Sequence, residues 1–161
     1  MPTLNRARFL LLSLALACTG GIASAAAPVA VDPQLAALVA SKDRNPDFVK
    51  RDAARHPTEE LRFFGIRPDM TVVELWPGGG YWTEILGPYL AKSGHYYAAL
   101  PPLKDKEESE SVKKWRVRVA AQKGRMGTIK ETTLGKGEYD IAPAGSADLI
   151  VTFRNLHNWV G

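Results

Sequence analysis

The sequence is poor in cysteine and histidine, and both shortages narrow the chemistry open to it. Cys18 is the single cysteine among 161 residues, and it lies in an N-terminal segment typical of a removable export signal. Without that segment the chain has no disulfide, no thiolate metal site and no cysteine nucleophile. The three histidines, His56, His95 and His157, are too dispersed to form a metal site, and no carboxylate–histidine spacing suggests one. The sequence therefore predicts no bound metal.

Acidic residues are absent from the chain before Asp32. Arg6 and Arg8 precede a short apolar run over 9–17, and Ala23-Ser24-Ala25 has the small-residue pattern of a cleavage site. These features predict a signal peptide over 1–25 and an exported, periplasmic protein. The run is shorter than the roughly 20 residues of a spanning helix, so no stable membrane span is expected after cleavage. Lipid anchoring through Cys18 is the alternative.

The sequence also lacks any dense cluster of lysine and arginine residues. The net charge is +4, and the Lys and Arg residues are interleaved with 17 acidic residues, which argues against a nucleic-acid partner. A hydrophobic content of 45% is ample for a folded core, and the length suits one domain. We expect an N-terminal tail and short helix over 26–44, followed by the main domain over 45–161. The sequence leaves the oligomeric state open.

Helix and strand patterns alternate along the main domain. Asp32-Pro33, Asn45-Pro46 and Pro57 are typical helix starts. Apolar and β-branched runs predict four strands, and the segments between them predict two longer helices. The strands are expected at 70–75, 95–100, 126–131 and 148–153, and the helices at 81–92 and 107–122. This alternation predicts an α/β fold with an open, mainly parallel sheet and flanking helices.

The most informative stretch is the loop that follows the first predicted strand. Trp76-Pro77-Gly78-Gly79-Gly80 connects that strand directly to a helix. Glycines there let the backbone approach a ligand, and open α/β sheets bind ligands at the carboxyl ends of their strands. No Gly-Lys-Ser/Thr follows, so a Walker phosphate loop is excluded, and the full G-x-G-x-x-G pattern is absent too. A tight turn with no ligand remains the alternative.

The segment from Glu74 to Gly80 resembles the first motif of class I S-adenosylmethionine-dependent methyltransferases, an acidic residue followed by G-x-G-x-G. Three stretches together resemble a branch of predicted, exported bacterial methyltransferases. These are Arg55-His56-Pro57, Glu74 to Glu84, and Phe153-Arg154-Asn155-Leu156-His157-Asn158-Trp159. The resemblance covers about Asn45 to Gly161 and implies a Rossmann-like fold, of which this chain holds the N-terminal part.

The resemblance also implies a cofactor, a small-molecule acceptor and a set of site residues. S-adenosylmethionine is the implied cofactor, and methyl transfer to an unknown small molecule is the implied reaction. The implied cofactor-binding residues are Glu74, Pro77, Gly78, Gly79, Gly80 and Tyr81. The implied catalytic and substrate residues, just past the fourth strand, are Arg154, Asn155 and His157, the last as a base for the acceptor proton.

Two positions depart from the methyltransferase pattern. The second predicted strand ends in Ala98-Ala99-Leu100-Pro101, where such enzymes usually carry an acid for the cofactor ribose, and Trp76 stands where the first glycine is usual. These departures favour an alternative function, a non-catalytic or differently liganded Rossmann-like binding protein of the cell envelope.

The number of strands predicts that this chain is an incomplete domain. A class I methyltransferase sheet has seven strands in the order 3-2-1-4-5-7-6, whereas the sequence predicts four. The fourth strand is apolar on both faces, so as an edge it invites aggregation. We expect the natural product to be longer by roughly 80–120 residues, the scale of a full α/β domain, and this chain alone to be poorly soluble and inactive.

Overall fold

The structure of the protein, a computed structural model, describes residues 32–160. The predicted signal peptide, its cleavage site and Cys18 lie outside the described residues. Within 32–160, no helix is both long and apolar enough to cross a membrane.

Within residues 32–160, four short helices precede the sheet, and side-chain capping explains where the first two begin. They are α1 (Pro33–Val39), α2 (Pro46–Val49), α3 (Asp52–Arg55) and α4 (Pro57–Phe63). The Asp32 carboxylate accepts a hydrogen bond from the Gln34 backbone N–H at 2.8 Å, and the Asn45 side chain accepts one from Asp47 N–H at 2.8 Å. Each cap is followed by proline, whose fixed φ suits the first helical position. The helix starts predicted at 32–33, 45–46 and 57 are confirmed.

In the described part of the chain, the sheet has four parallel strands in the order β3-β2-β1-β4. They are β1 (Thr71–Leu75), β2 (His95–Leu100), β3 (Ile129–Thr133) and β4 (Leu149–Val151). Val73 of β1 lies opposite Tyr97 of β2 on one side and Ile150 of β4 on the other. The predicted open α/β, Rossmann-like sheet with flanking helices is confirmed. Because all strands run the same way, their carboxyl ends meet along one edge.

Four further helices follow β1 in the chain: α5 (Thr83–Leu90), α6 (Glu110–Ala121), α7 (Lys123–Met126) and α8 (Leu156–Trp159). Alternate strand residues face α5 and α6 on one side of the sheet, where Val72, Tyr96 and Val151 join the main buried cluster. The intervening residues, such as Val73 and Tyr97, face partly buried apolar residues of the 134–147 segment. Pleating thus divides the apolar residues of β1 and β2 between two faces.

Several predicted boundaries are wrong. The helix expected at 107–122 begins only at Glu110, after its cap Ser109, and the strand expected at 148–153 spans Leu149–Val151. Met126 was expected to open the third strand but ends the short helix α7, and β3 begins only at Ile129. Gly127 adopts φ +64° between them, which breaks the backbone direction. Tyr81 was expected to open a helix that instead begins at Thr83. Helix α8, formed by residues 156–159, was not predicted from the sequence.

Strand β4 pairs with β1 along one edge, and no strand pairs with its other edge within residues 32–160. Its central side chain, Ile150, is 52% exposed. The predicted apolar edge is therefore present in the described part of the chain.

Candidate functional site

The glycine loop, residues 76–80, leaves the carboxyl end of β1 and leads into α5. Gly78 and Gly80 adopt φ of +59° and +93°, backbone conformations that residues other than glycine rarely adopt. A Cβ atom added at Gly78 or Gly79 would meet nothing within 4 Å, whereas one at Gly80 would lie 3.1 Å from Trp115 Cδ1. The first two glycines therefore face open space, and the third is needed for packing.

Two clefts meet at the glycine loop. The first, the loop cleft, has a volume of about 220 Å³, and the second, the serine cleft, about 350 Å³. The loop cleft is lined by Phe48, Arg51, Arg55, Glu74, Trp76, Pro77, Gly78, Gly79, Tyr81, Trp82, Phe153 and Asn155. The serine cleft is lined by Trp76, Pro77, Gly78, Pro101, Ser109, Ser111, Val112, Asn155 and Asn158. Gly78 borders both, so the open face of the loop is where the two clefts join.

The structure brings most of the predicted cofactor residues together at the loop cleft. Glu74, Pro77, Gly78, Gly79 and Tyr81 all line it. The remaining one, Gly80, is buried against Trp115 and does not line either cleft.

Glu74 is buried and hydrogen-bonded within the protein interior. It is 1% exposed, and its carboxylate accepts hydrogen bonds from the Tyr96 hydroxyl and, at 3.1 Å, from the Thr83 hydroxyl. Trp115 Nε1 donates to Thr83 Oγ1 at 2.9 Å and completes this buried cluster. Burial raises the pKa of Glu74 to about 7, although the two hydroxyl donors oppose the shift. Glu74 thus ties β1 to β2 and α5 beneath the glycine loop.

Asn155 acts as a clamp between the ends of β1 and β4. Its side-chain N–H₂ donates to the backbone carbonyls of Leu75 at 3.1 Å and Trp76 at 3.0 Å. The same group lies 2.9 Å from Thr152 Oγ1. The amide of Asn155 is engaged in fixing the start of the glycine loop, which is a positioning task.

Of the other two predicted catalytic residues, the structure places one at a cleft. Arg154 follows β4 and adopts a left-handed φ of +60°. It lines a third cleft at the same edge of the sheet. His157 lies exposed on α8 and lines none of the three clefts at this edge. The geometry gives no support to a base role for His157.

The third cleft, the aromatic cleft, has a volume of about 650 Å³ and adjoins the loop cleft. It is lined by Ala54, Arg55, His56, Glu59, Glu60, Phe63, Phe64, Trp82, Thr152, Phe153 and Arg154. Arg55, Trp82 and Phe153 line both the loop cleft and the aromatic cleft, so the two are continuous.

Three of the five non-glycine residues with left-handed backbone among residues 32–160 lie at these clefts. His56, Trp76 and Arg154 adopt φ of +43°, +51° and +60°, and each lines at least one of the three clefts. Such backbone costs about 1–2 kcal/mol per residue and persists only where its surroundings fix it. Trp76, for example, is fixed by its indole, whose Nε1 donates to the Leu134 carbonyl at 3.0 Å.

A buried ion pair that sequence reasoning missed anchors the loop cleft from the N-terminal helices. Arg44 is 2% exposed, and its guanidinium donates to both carboxylate oxygens of Asp52 at 2.6 and 2.9 Å. The Tyr81 hydroxyl also donates to Asp52, at 2.6 Å. Burial alone would raise the pKa of Asp52, but the hydrogen bonds from Arg44 and Tyr81 outweigh it and lower that pKa. Burial and the Asp52 carboxylate raise the pKa of Tyr81 to about 12.

Three other arginines surround the junction of the loop and aromatic clefts. Arg51 and Arg55 lie over the Tyr81 ring at 5.8 and 4.5 Å from its centroid, and Arg154 approaches from β4. None of the three forms an ion pair within residues 32–160. Burial, then the charge of Arg51 and more weakly that of Arg154, lowers the pKa of Arg55. The junction is therefore a cationic rim.

No group of three metal-ligating side chains occurs in the part of the chain that the structure describes. Comparison with family models, curated proteins and solved structures gives no match to this chain.

Proposed function

We propose that the protein is a class I S-adenosylmethionine-dependent methyltransferase that acts on a small acceptor. The observation that carries this proposal is the glycine loop at the carboxyl end of β1, in a sheet ordered β3-β2-β1-β4, with Gly78 and Gly79 open to two clefts. Ligands of open α/β sheets bind at this edge. The motif resemblance of residues 74–80 supports the same assignment.

The residues at the two clefts fit the chemical groups of this cofactor. Gly78 and Gly79 leave room that a side chain would fill, and close backbone approach suits a nucleoside ligand. Arg51 in the loop cleft is suited to its amino-acid carboxylate. In the serine cleft, Ser111 offers a hydroxyl for the ribose, beside a β2 end that carries no acid. The fit uses different side chains from the usual pattern.

S-adenosylmethionine supplies an electrophilic methyl group when it is bound. The contribution of the protein is to hold and orient the reactants, which accelerates transfer between two positioned groups. Asn155 fixes the carbonyls at the start of the glycine loop, and Asn155 and the Glu74 cluster secure the loop from two sides. The aromatic cleft, continuous with the loop cleft, provides the space for an acceptor.

The alternative function is a Rossmann-like binding protein with a different ligand. The observation that favours it is the end of β2, where Ala98, Ala99 and Leu100 are buried and no carboxylate is available for a ribose. The alternative shares the same clefts and differs in its ligand.

Calorimetric titration of the chain with S-adenosylmethionine tests the proposal. We expect saturable binding that Gly78→Ala weakens at least tenfold, because the new methyl group enters the space between the two clefts. Gly145→Ala is the matched control, since Gly145 also has a left-handed φ, +72°, with nothing within 4 Å of an added Cβ, and it lines none of the three clefts. Both variants carry a similar backbone cost of about 1 kcal/mol.

Equal binding by the two glycine variants would show that the cofactor does not bind at this loop. Absence of any binding to the unaltered, folded chain would favour the alternative function.

A further inference from the structure

We propose that the aromatic cleft binds a planar aromatic molecule that carries an oxyanion, a phenolate or an aromatic carboxylate, and that this molecule is the methyl acceptor. The binding site is inferred from the cleft itself, whereas the acceptor role rests on the proposed methyltransferase function. The oxyanion is placed at the cationic rim, where the aromatic and loop clefts join.

The walls of the aromatic cleft favour a flat, apolar ligand body. Trp82 and Phe153 stack with ring centroids 4.0 Å apart and an interplanar angle of 20°, and Phe64 packs against Phe153 at 6.2 Å. Phe63 is 85% exposed and Phe64 38% exposed. Exposed aromatic rings beside a cavity of about 650 Å³ offer faces for stacking, which aliphatic ligands use less well.

A buried donor without a partner lies in the wall between the two clefts. Trp82 is 3% exposed, and its Nε1 has no hydrogen-bond partner within residues 32–160. The other buried indole of the site, Trp115, donates to Thr83. A buried N–H that lacks an acceptor is costly, so this donor indicates an oxygen acceptor that a ligand would supply.

The arginines around the cleft place the oxyanion at the junction with the loop cleft. Arg55 and Arg154 line the aromatic cleft, and Arg51 lies just across the junction in the loop cleft. Glu59 and Glu60, on α4, line the aromatic cleft too, and burial raises the pKa of Glu60 against the opposing charge of Arg55. An anion therefore finds its favourable position at the junction, where the arginines meet.

This position matches the requirement of methyl transfer. The oxyanion would attack the methyl carbon of the sulfonium cofactor, so that an O–C bond forms while the S–C bond breaks and its electron pair stays on sulfur. The products are a methyl ether or ester and the neutral thioether. The cationic rim favours the ionised acceptor, whose proton has already gone to solvent, so no side-chain base is needed in the transfer step.

Binding of 4-hydroxybenzoate to the full 161-residue chain tests the site without the cofactor. The probe is followed through the indole N–H resonances in nitrogen-15 spectra, with the Trp82 signal identified by its loss in Trp82→Phe. We expect the Trp82 signal to shift saturably. The neutral analogue 4-hydroxybenzamide and the non-aromatic cyclohexanecarboxylate should each bind about tenfold more weakly or worse, because one lacks the charge and the other the ring.

Variants of the cationic rim sharpen the test. Arg55→Gln should weaken 4-hydroxybenzoate about tenfold and leave 4-hydroxybenzamide nearly unaffected. Arg62→Gln, on the following helix α4 and outside the cleft lining, should change neither. Thermal unfolding of each variant checks that it is folded. The relative affinities of the three probes are measured on the unaltered chain and do not depend on the folding of a variant.

An unmoved Trp82 signal at saturating probe, or equal affinity for the acid and the amide, would overturn the proposed site. If the chain binds S-adenosylmethionine but the probe fails, the methyltransferase proposal stands and this inference falls. If the probe binds as expected and the cofactor does not, the acceptor role falls together with the proposed function.

Discussion

The polar groups beneath the glycine loop differ from those on its rim in how completely they are partnered. Beneath the loop, Glu74 is bonded by Tyr96 and Thr83, and Thr83 in turn by Trp115. On the rim, Arg51 and Arg154 form no ion pair within residues 32–160. Buried groups with all their partners present stabilise the fold, whereas unpartnered groups beside a cavity indicate a ligand.

The difference predicts that substitutions in the partnered groups alter stability and that substitutions on the rim alter binding. The ion pair between Arg44 and Asp52, with the Tyr81 hydroxyl, belongs with the partnered groups, although Arg44 Nε has no partner within residues 32–160 and the cluster lies on the N-terminal side of the loop cleft.

The largest effect is expected when the buried ion pair is broken. Asp52→Asn leaves the Arg44 guanidinium buried without a countercharge, which should lower the free energy of unfolding by about 3 kcal/mol. Asp47→Asn is the control, because the Asp47–Lys50 pair is exposed and should change stability by less than about 0.5 kcal/mol. Urea unfolding at neutral pH measures both. Similar losses in the two variants would contradict the distinction between buried and exposed pairs.

The next largest effect is a pH dependence of the free energy of unfolding, which comes from Glu74. Its pKa in the folded state, about 7, lies above its ordinary value of 4.5, so the folded chain binds the proton more tightly than the unfolded chain. The associated stability is present below pH 4.5 and is lost as the pH rises through 7, an expected fall of about 2 kcal/mol between pH 5 and 7.5.

Glu74→Gln should flatten this part of the stability profile, since glutamine does not titrate. His157→Gln is the control, because an exposed histidine on α8 should leave the slope in place. If the pH dependence of stability survives Glu74→Gln and disappears in His157→Gln, it does not come from Glu74.

A smaller loss is expected from the outer member of the Glu74 cluster. Trp115→Phe keeps an aromatic ring but removes the hydrogen bond to Thr83, which should lower the free energy of unfolding by about 1–2 kcal/mol. Tyr139→Phe, at a position that is 69% exposed, should cost less than about 0.5 kcal/mol. Equal costs in thermal or urea unfolding would mean that the bond from Trp115 adds nothing to stability.

The smallest effect is expected on the rim. Arg154→Gln removes a cation that has no ion pair and that lies near Arg55, so the free energy of unfolding should stay within about 0.5 kcal/mol of the unaltered chain. The same variant should weaken 4-hydroxybenzoate. A large loss of stability without a change in binding would place Arg154 among the structural residues.

Local sequence patterns predicted the sheet and the helix starts well, because those features depend on neighbouring residues. The apolar runs gave β1 and β2, and the Asp32-Pro33 and Asn45-Pro46 pairs gave two helix starts. The third strand was misplaced, since Met126 is buried by contact with Gly87 of α5 and this contact leaves no local pattern.

The candidate site was predicted only in part. The glycine loop and Arg154 were found from their motif, but the partners of Glu74 are Tyr96 and Thr83, at 22 and 9 residues' distance in the chain. The ion pair of Arg44 with Asp52 was not predicted for the same reason, since the elements that bury Arg44 meet only in the folded chain.

Mapping of backbone amide shifts is the sharpest test of our proposal that S-adenosylmethionine binds on the open face of the glycine loop. Saturating cofactor should shift the amides of Gly78 and Gly79 strongly and leave that of Gly145 unmoved. Cofactor binding that leaves Gly78 and Gly79 unmoved and shifts residues remote from the carboxyl edge of the sheet would contradict the account.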